Sequence, residues 1–129
     1  MANTPGELTE FFKAVPPEAT LELFAHGNPT AIYATFCESP EEQVITTQTL
    51  PSIFKPLKDK RLRCVTLHAC EVGARPKQAG QLNFAQTLSD YLQTTVYGSP
   101  FLSRGIFGFY GGLYNQYQNG QFKGLRWCW

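Results

Sequence analysis

The chain has 129 residues, 43% of them hydrophobic and 16% charged, which is enough for one domain with a buried core. Its 11 basic and 10 acidic residues nearly balance, so we expect no electrostatic binding to nucleic acid or to an anionic membrane. No apolar run approaches the roughly 18 residues that cross a bilayer, and the N-terminal segment lacks a signal-peptide pattern.

The first part of the chain predicts one helix followed by short strands. Residues 5–14 combine an early proline with apolar residues at helical spacing, which predicts a short helix. The segment ATLELFAHG (19–27) predicts a strand that runs into a sharp turn at Gly27. Residues 30–36 and 43–48 are two further strand candidates.

The middle of the chain predicts alternating helices and strands. Residues 50–60 have apolar positions at helical spacing, although a proline within them shortens or kinks the helix. The segment RCVTLHAC (63–70) is the clearest strand, and it ends at Cys70. Residues 82–93 form one apolar stripe typical of a helix, and residues 94–100 predict a further strand.

The last 29 residues contain nine of the eighteen aromatic residues, with Asn119-Gly120 between two aromatic stretches. Because Asn-Gly favours the positive φ angles of a tight turn, we expect an antiparallel aromatic hairpin. The hairpin could seal the core or form a substrate groove, and we favour the core. Helices between strands, with this antiparallel edge, predict an α/β fold with a mainly parallel sheet.

Two predicted strands end in residues that can carry chemistry, at His26 and at Cys70. Sites in open α/β sheets form at the carboxyl ends of the strands, so neighbouring parallel strands would bring the two residues together. A cysteine needs such an imidazole partner to react as a thiolate. The backbone N–H groups of Gly27 and Cys70 could then stabilise an oxyanion. The alternative is a packed cysteine and a simple His-Gly turn.

The four cysteines are widely spaced and form no Cys-x-x-Cys or Cys-x-x-His pair. This pattern fits neither a disulfide scaffold nor a zinc site, so we expect reduced cysteines, no metal and no cofactor. His68 is a rival base for Cys70. On a strand, however, side chains two residues apart are separated by about 7 Å, and we expect His68 to be buried with a backbone partner.

The motifs LFAHG (23–27) and LHACEVG (67–73), followed by the helix NFAQTLSDYL and the strand TTVYGSP, resemble those of the caspase-like cysteine peptidases. This superfamily includes the CHAT peptidases and the self-processing domains of large RTX toxins. The resemblance implies a three-layer sandwich over residues 1–129, with His26 as general acid/base, Cys70 as nucleophile and Gly27 as oxyanion donor. Two features depart from the family: only one helix precedes the histidine strand, and the caspase-type cysteine context is absent.

Three further residues are candidates for substrate binding. Glu71, beside the nucleophile, could hold a basic substrate group, although a solvated carboxylate is the simpler interpretation. The resemblance places Ser99 and Arg104 in the wall of a specificity pocket, where Arg104 would suit an acidic substrate residue. A surface arginine is the simpler alternative.

These observations predict a cysteine endopeptidase acting on a protein substrate. The same dyad would also serve a deamidase or an acyltransferase, and a third reading is a non-enzymatic caspase-like interaction module. By analogy with small hydrolases of this kind, we expect an effector or toxin domain, cytoplasmic or secreted without a classical signal peptide. Such a domain could belong to a longer protein and would have an inhibitor or immunity protein as a partner.

Overall fold

The computed structural model describes residues 4–33, 44–69, 72–74, 82–99 and 113–127. These ranges contain helices α1 (Pro5–Lys13), α2 (Leu50–Phe54) and α3 (Phe84–Leu92), and a 3-10 turn over Lys55–Leu57. The strands are β1 (Thr20–Phe24), β2 (His26–Asn28), β3 (Ala31–Tyr33), β4 (Val44–Thr46), β5 (Cys64–His68), β6 (Thr95–Gly98), β7 (Leu113–Gln118) and β8 (Gln121–Trp127). None of the described helices is long and apolar enough to span a bilayer.

Side-chain caps fix where the two longer helices begin. The Thr4 hydroxyl accepts a hydrogen bond from the Glu7 N–H at the start of α1, and the Asn83 side chain does the same for Gln86 in α3. Each cap satisfies an N–H group that has no partner within the helix. α2 is short because Pro56 prevents regular continuation, so the predicted helix over 50–60 becomes one α-helical turn followed by a 3-10 turn.

Five strands form the larger sheet, in the order β1-β5-β6-β7-β8. The pairings β1/β5 and β5/β6 are parallel, whereas β6/β7 and β7/β8 are antiparallel. β2, β3 and β4 form a second sheet that is wholly antiparallel. β7 and β8 are the predicted aromatic hairpin, and its Asn119 and Gly120 have φ angles of 51° and 84°, as a two-residue turn of this type requires.

All three described helices pack on one face of the larger sheet. Their buried residues, including Phe12, Phe54 and Leu88, form a single apolar cluster with Val65 and Val96 of the sheet. Residues that alternate with these along the strands, such as Phe24 and His68, lie on the other face because successive strand residues point to opposite sides. No helix among the described ranges covers that second face.

The prediction of a caspase-like three-layer sandwich with a mainly parallel sheet is therefore wrong. Of the six strand pairings, four are antiparallel, and the described helices occupy one face instead of two. Part of the reason is local. Only Pro29 and Thr30 connect β2 to β3, and a connection of two residues can join antiparallel strands but not parallel ones.

The same short connection corrects the expectation for residues 19–27. The chain does not turn at Gly27: β1 ends at Phe24, the chain leaves the larger sheet after Ala25, and Gly27 lies within β2. The turn comes later, at Pro29 and Thr30, where the Asn28 side chain accepts hydrogen bonds from the Thr30 backbone N–H and hydroxyl.

Candidate functional site

The strands that lead to His26 and Cys70 are parallel neighbours. Phe24 at the end of β1 lies opposite His68 at the end of β5, and the Ala25 N–H donates to the His68 carbonyl over 3.2 Å. His26 follows Phe24 by two residues, as Cys70 follows His68. The expected adjacency of the two strands is confirmed. The side chain of His26 and the residues Cys70, Glu71 and Arg104 lie outside what the structure describes.

Gly27 brings the segment that contains His26 against the segment that contains Cys70. A Cβ atom on Gly27 would lie 3.0 Å from the Cβ of Ala69 and 2.9 Å from Cγ1 of Val72. These two residues flank the Cys70-Glu71 pair. Since any side chain larger than hydrogen would separate the two segments, glycine at position 27 permits their contact.

The pairing of β2 with β3 directs the Gly27 N–H away from β3. Asn28 and Ala31 flank the two-residue connection and pair with each other, so they exchange the hydrogen bonds of the hairpin. The next pair, Gly27 with Ile32, is then of the non-hydrogen-bonded kind. The amide of Gly27 points out of the small sheet, as an oxyanion donor would have to, and its role as such a donor stays a prediction.

Both ends of the Cys70-Glu71 segment are buried and held. Ala69 precedes it and Val72 follows it, and both belong to the apolar cluster beneath the larger sheet. The Val72 carbonyl accepts a hydrogen bond from Ala85 in α3 over 3.0 Å. The candidate nucleophile is therefore in a two-residue connection between two buried residues. The sequence predicted that the strand runs as far as Cys70, whereas β5 ends at His68.

Ser99 directly follows β6, the strand that pairs with β5 in the larger sheet. Its carbonyl accepts a hydrogen bond from the Gly73 N–H over 2.9 Å, and the residue is completely buried. The backbone of Ser99 thus helps to fix the chain that leaves Cys70. A direct contact between Ser99 and substrate stays a prediction, as do the roles of Glu71 and Arg104.

His68, the rival base, is held by partners at both ring nitrogens. Its Nε2 lies 3.1 Å from Oε1 of Glu22, and its Nδ1 lies 2.7 Å from the hydroxyl of Tyr114. Because a carboxylate oxygen only accepts, Nε2 carries the hydrogen, and the Nδ1 of a neutral ring accepts from Tyr114. The ring is 9% exposed and stacks on Phe24 at 4.2 Å between centroids. The expected burial is confirmed, but the ring partners are side chains.

Sequence reasoning missed three residues around Gly73, which follows Cys70 by three positions. Asn115 and Tyr117 donate to the Gly73 carbonyl, and Asn83 donates to the Tyr117 hydroxyl. An asparagine directly before an apolar helical stripe is a recognisable cap signal, so Asn83 could have been found. Asn115 and Tyr117 carried no local signal beyond their place in the hairpin. Within the described ranges, no three His, Cys, Asp or Glu side chains come together as a metal site would require.

Comparison with known proteins gives a family match. Residues 3–102 match the model of a family described as a domain of unknown function (DUF8616). The matched segment includes β1, β2 and β5, which position the candidate site, and leaves out the hairpin formed by β7 and β8. No curated protein and no solved structure matches the chain.

Proposed function

We propose that this chain, which belongs to the DUF8616 family, is a cysteine endopeptidase with Cys70 as nucleophile and His26 as general acid/base. The observation that carries the proposal is the contact of Gly27 with Ala69 and Val72. It brings the residue after His26 against the residues on either side of Cys70. The proposal uses this contact and the parallel strands before it, and it does not depend on a three-layer sandwich.

The proposed reaction begins with proton transfer from the Cys70 thiol to the His26 imidazole. The resulting thiolate attacks the carbonyl carbon of a peptide bond, and a bond forms between sulfur and carbon. The carbonyl oxygen becomes an oxyanion, towards which the N–H groups of Gly27 and Cys70 would donate. His26 then returns the proton to the leaving amine as the carbon–nitrogen bond breaks.

The second half of the reaction hydrolyses the thioester. His26 removes a proton from a water molecule, which attacks the same carbon and forms the new carboxyl group. The carbon–sulfur bond breaks, and Cys70 regains a proton from His26. No oxidant, metal or cofactor takes part in either half. A third, orienting residue is not required, because a cysteine thiol is already more acidic than a serine hydroxyl.

Both ends of the Cys70-Glu71 segment are held in place. This favours a catalytic cysteine over a cysteine in an unrestrained surface loop. A nucleophile has to stay within hydrogen-bond reach of its base, and small displacements lower the rate strongly. Ala69 and Val72 are both buried, so the backbone on each side of the segment has little freedom to move.

The decisive experiment compares Cys70→Ala with Cys64→Ala. Cys64 begins the same strand, β5, at the opposite end, which makes its variant a matched control. New protein N-termini in a proteome treated with the wild-type protein should disappear with Cys70→Ala and persist with Cys64→Ala. Full cleavage by Cys70→Ala would refute the proposal.

The same comparison separates the other readings of the dyad. A deamidase or acyltransferase would change the mass of an intact target protein without producing fragments. A thiol-directed probe at about pH 5.5 should label Cys70, since a thiolate paired with an imidazolium reacts at a pH where an ordinary thiol does not. Absence of both labelling and cleavage would indicate an interaction module.

A further inference from the structure

The carbonyl of Gly73, three residues after Cys70, receives two side-chain hydrogen bonds. The Tyr117 hydroxyl donates to it over 2.7 Å, and Nδ2 of Asn115 donates over 3.0 Å. Both residues are on β7, whose register places Asn115 opposite Gly98 of β6. The Gly73 N–H in turn donates to the Ser99 carbonyl, so both backbone polar groups of Gly73 are hydrogen-bonded.

Asn83 orients the Tyr117 hydroxyl. Nδ2 of Asn83 donates to the Tyr117 oxygen over 2.6 Å, while Oδ1 of the same side chain caps α3. A tyrosine hydroxyl has a single hydrogen, so a donor on its oxygen directs that hydrogen to the remaining acceptor, the Gly73 carbonyl. Asn83 and Tyr117 are only 1% and 2% exposed, which protects these bonds from competition by water.

We call Asn83, Asn115 and Tyr117 the Gly73 clamp. The clamp joins α3 and β7 to the short segment that follows Cys70, and it acts where the backbone is already tightly packed. A Cβ on Gly73 would collide with the carbonyl of Gly98, so the segment has no space to move towards β6. The clamp therefore adds hydrogen bonds at a backbone position that packing already restricts on the side of β6.

We propose that the Gly73 clamp positions Cys70 for catalysis: by fixing the Gly73 carbonyl, it restrains the chain three residues after the nucleophile. This inference rests on the proposed function. Asn83, Asn115 and Tyr117 would act through the backbone of Gly73, as positioning residues. A buried network in which every member is satisfied favours one backbone position over its alternatives, which is what a positioning role needs.

The test uses two substitutions that leave the apolar packing in place. Tyr117→Phe removes only the hydroxyl. Asn83→Asp keeps a good cap for α3 but replaces the amide donor by an acceptor, which competes with the Gly73 carbonyl for the tyrosine hydrogen. Thr94→Val is the matched control, because the Thr94 hydroxyl also donates to a backbone carbonyl over 2.7 Å, at the opposite end of β5 and β6.

The readout is the rate of Cys70 alkylation against pH, followed by mass spectrometry of the Cys70 peptide. In both clamp variants we expect a loss of about tenfold at about pH 5.5, which shrinks as the pH approaches 9, because a displaced imidazolium no longer stabilises the thiolate. For peptide cleavage, kcat should fall with little change in KM. Thr94→Val should keep the wild-type profile and kcat.

Two other outcomes overturn the inference and can be told apart. If the clamp variants unfold at lower denaturant concentration but keep the wild-type alkylation profile, the clamp is only structural, and the proposed function survives. If the wild-type protein itself shows neither cleavage nor labelling at acidic pH, the proposed function and this inference fail together.

Discussion

Glu22 and His68 lie on neighbouring parallel strands and are joined by a hydrogen bond of 3.1 Å between the carboxylate and Nε2. The other ring nitrogen of His68 accepts from Tyr114, so the imidazole is held between an exposed and a buried partner. A histidine in this arrangement contributes to the second face of the sheet. It is not free to serve Cys70 as a base, which leaves His26 as the candidate.

Loss of the buried partner of His68 should destabilise the fold more than loss of the exposed one. Tyr114→Phe leaves Nδ1 of a buried ring without its donor, and we expect a loss of about 1–3 kcal/mol in the free energy of unfolding. The side chain of Glu22 is 58% exposed, so Glu22→Gln should lower the free energy of unfolding by less than about 1 kcal/mol. Urea denaturation measures the loss in both variants. Equal losses would contradict the conclusion that the buried partner contributes more than the exposed one.

Gly27→Ala should impair the candidate site directly. The added methyl group would meet Val72, Ala69 and the Ala31 carbonyl at 2.9 to 3.1 Å, so β2 has to move away from the Cys70 segment. We expect a destabilisation of about 1–3 kcal/mol and a loss of Cys70 labelling by the thiol-directed probe at acidic pH. Gly6→Ala is the control: its Cβ meets only the Thr4 hydroxyl, at 3.9 Å, and the substitution should be neutral or stabilising. Unchanged labelling in Gly27→Ala would show that this contact is not needed.

Gly73 and Gly98 should tolerate no side chain. The two backbones are in direct contact, and a Cβ on Gly98 would also lie 2.7 Å from the Cβ of Ala85. Gly98→Ala should therefore destabilise by about 3 kcal/mol or more, measured by thermal or urea unfolding. Ala85→Gly removes one of the contacts, so the double variant should lose less than the sum of the single variants. Simple additivity would argue against this close packing.

The turn of the hairpin should depend on glycine at position 120 more than on asparagine at position 119. Gly120 has a φ angle of 84°, and a Cβ there would lie 3.1 Å from the Asp90 side chain. Gly120→Ala should lower the free energy of unfolding by about 1–2 kcal/mol. Asn119→Gly keeps the required backbone conformation and should be close to neutral, which the same unfolding measurement would check.

The sequence predicted the local elements well where one pattern was strong. The helix expected over 82–93 is α3 (Phe84–Leu92), and the clearest strand is β5 (Cys64–His68). Asn-Gly correctly indicated the hairpin, because its turn chemistry is local. The layer arrangement failed because it depends on which strands pair. The sequences of short strands such as β2 and β3 do not indicate which sheet they join. The two-residue connection between them does indicate antiparallel pairing, and this evidence was overlooked.

For the site, the sequence predicted neighbouring strands but not what holds the segment between them. The partner of Tyr117 is a carbonyl 44 residues away, and no periodic pattern records a hydrogen bond of that kind. The hairpin tyrosines were expected in the core, and Tyr114 and Tyr117 are indeed buried. Their hydroxyl groups nevertheless reach to opposite sides of the sheet, one to His68 and one to Gly73, which burial alone could not reveal.

The chain passes from the large sheet to the small one at a single residue, Ala25, just before His26. Under the proposed function, the imidazole lies in the small sheet and the sulfur follows a strand of the large one. The two sheets share one apolar cluster, in which Ile32 and Ile45 of the small sheet join Val65 of the large one. A substitution that loosens this shared cluster should therefore weaken the dyad even though it touches neither reacting residue.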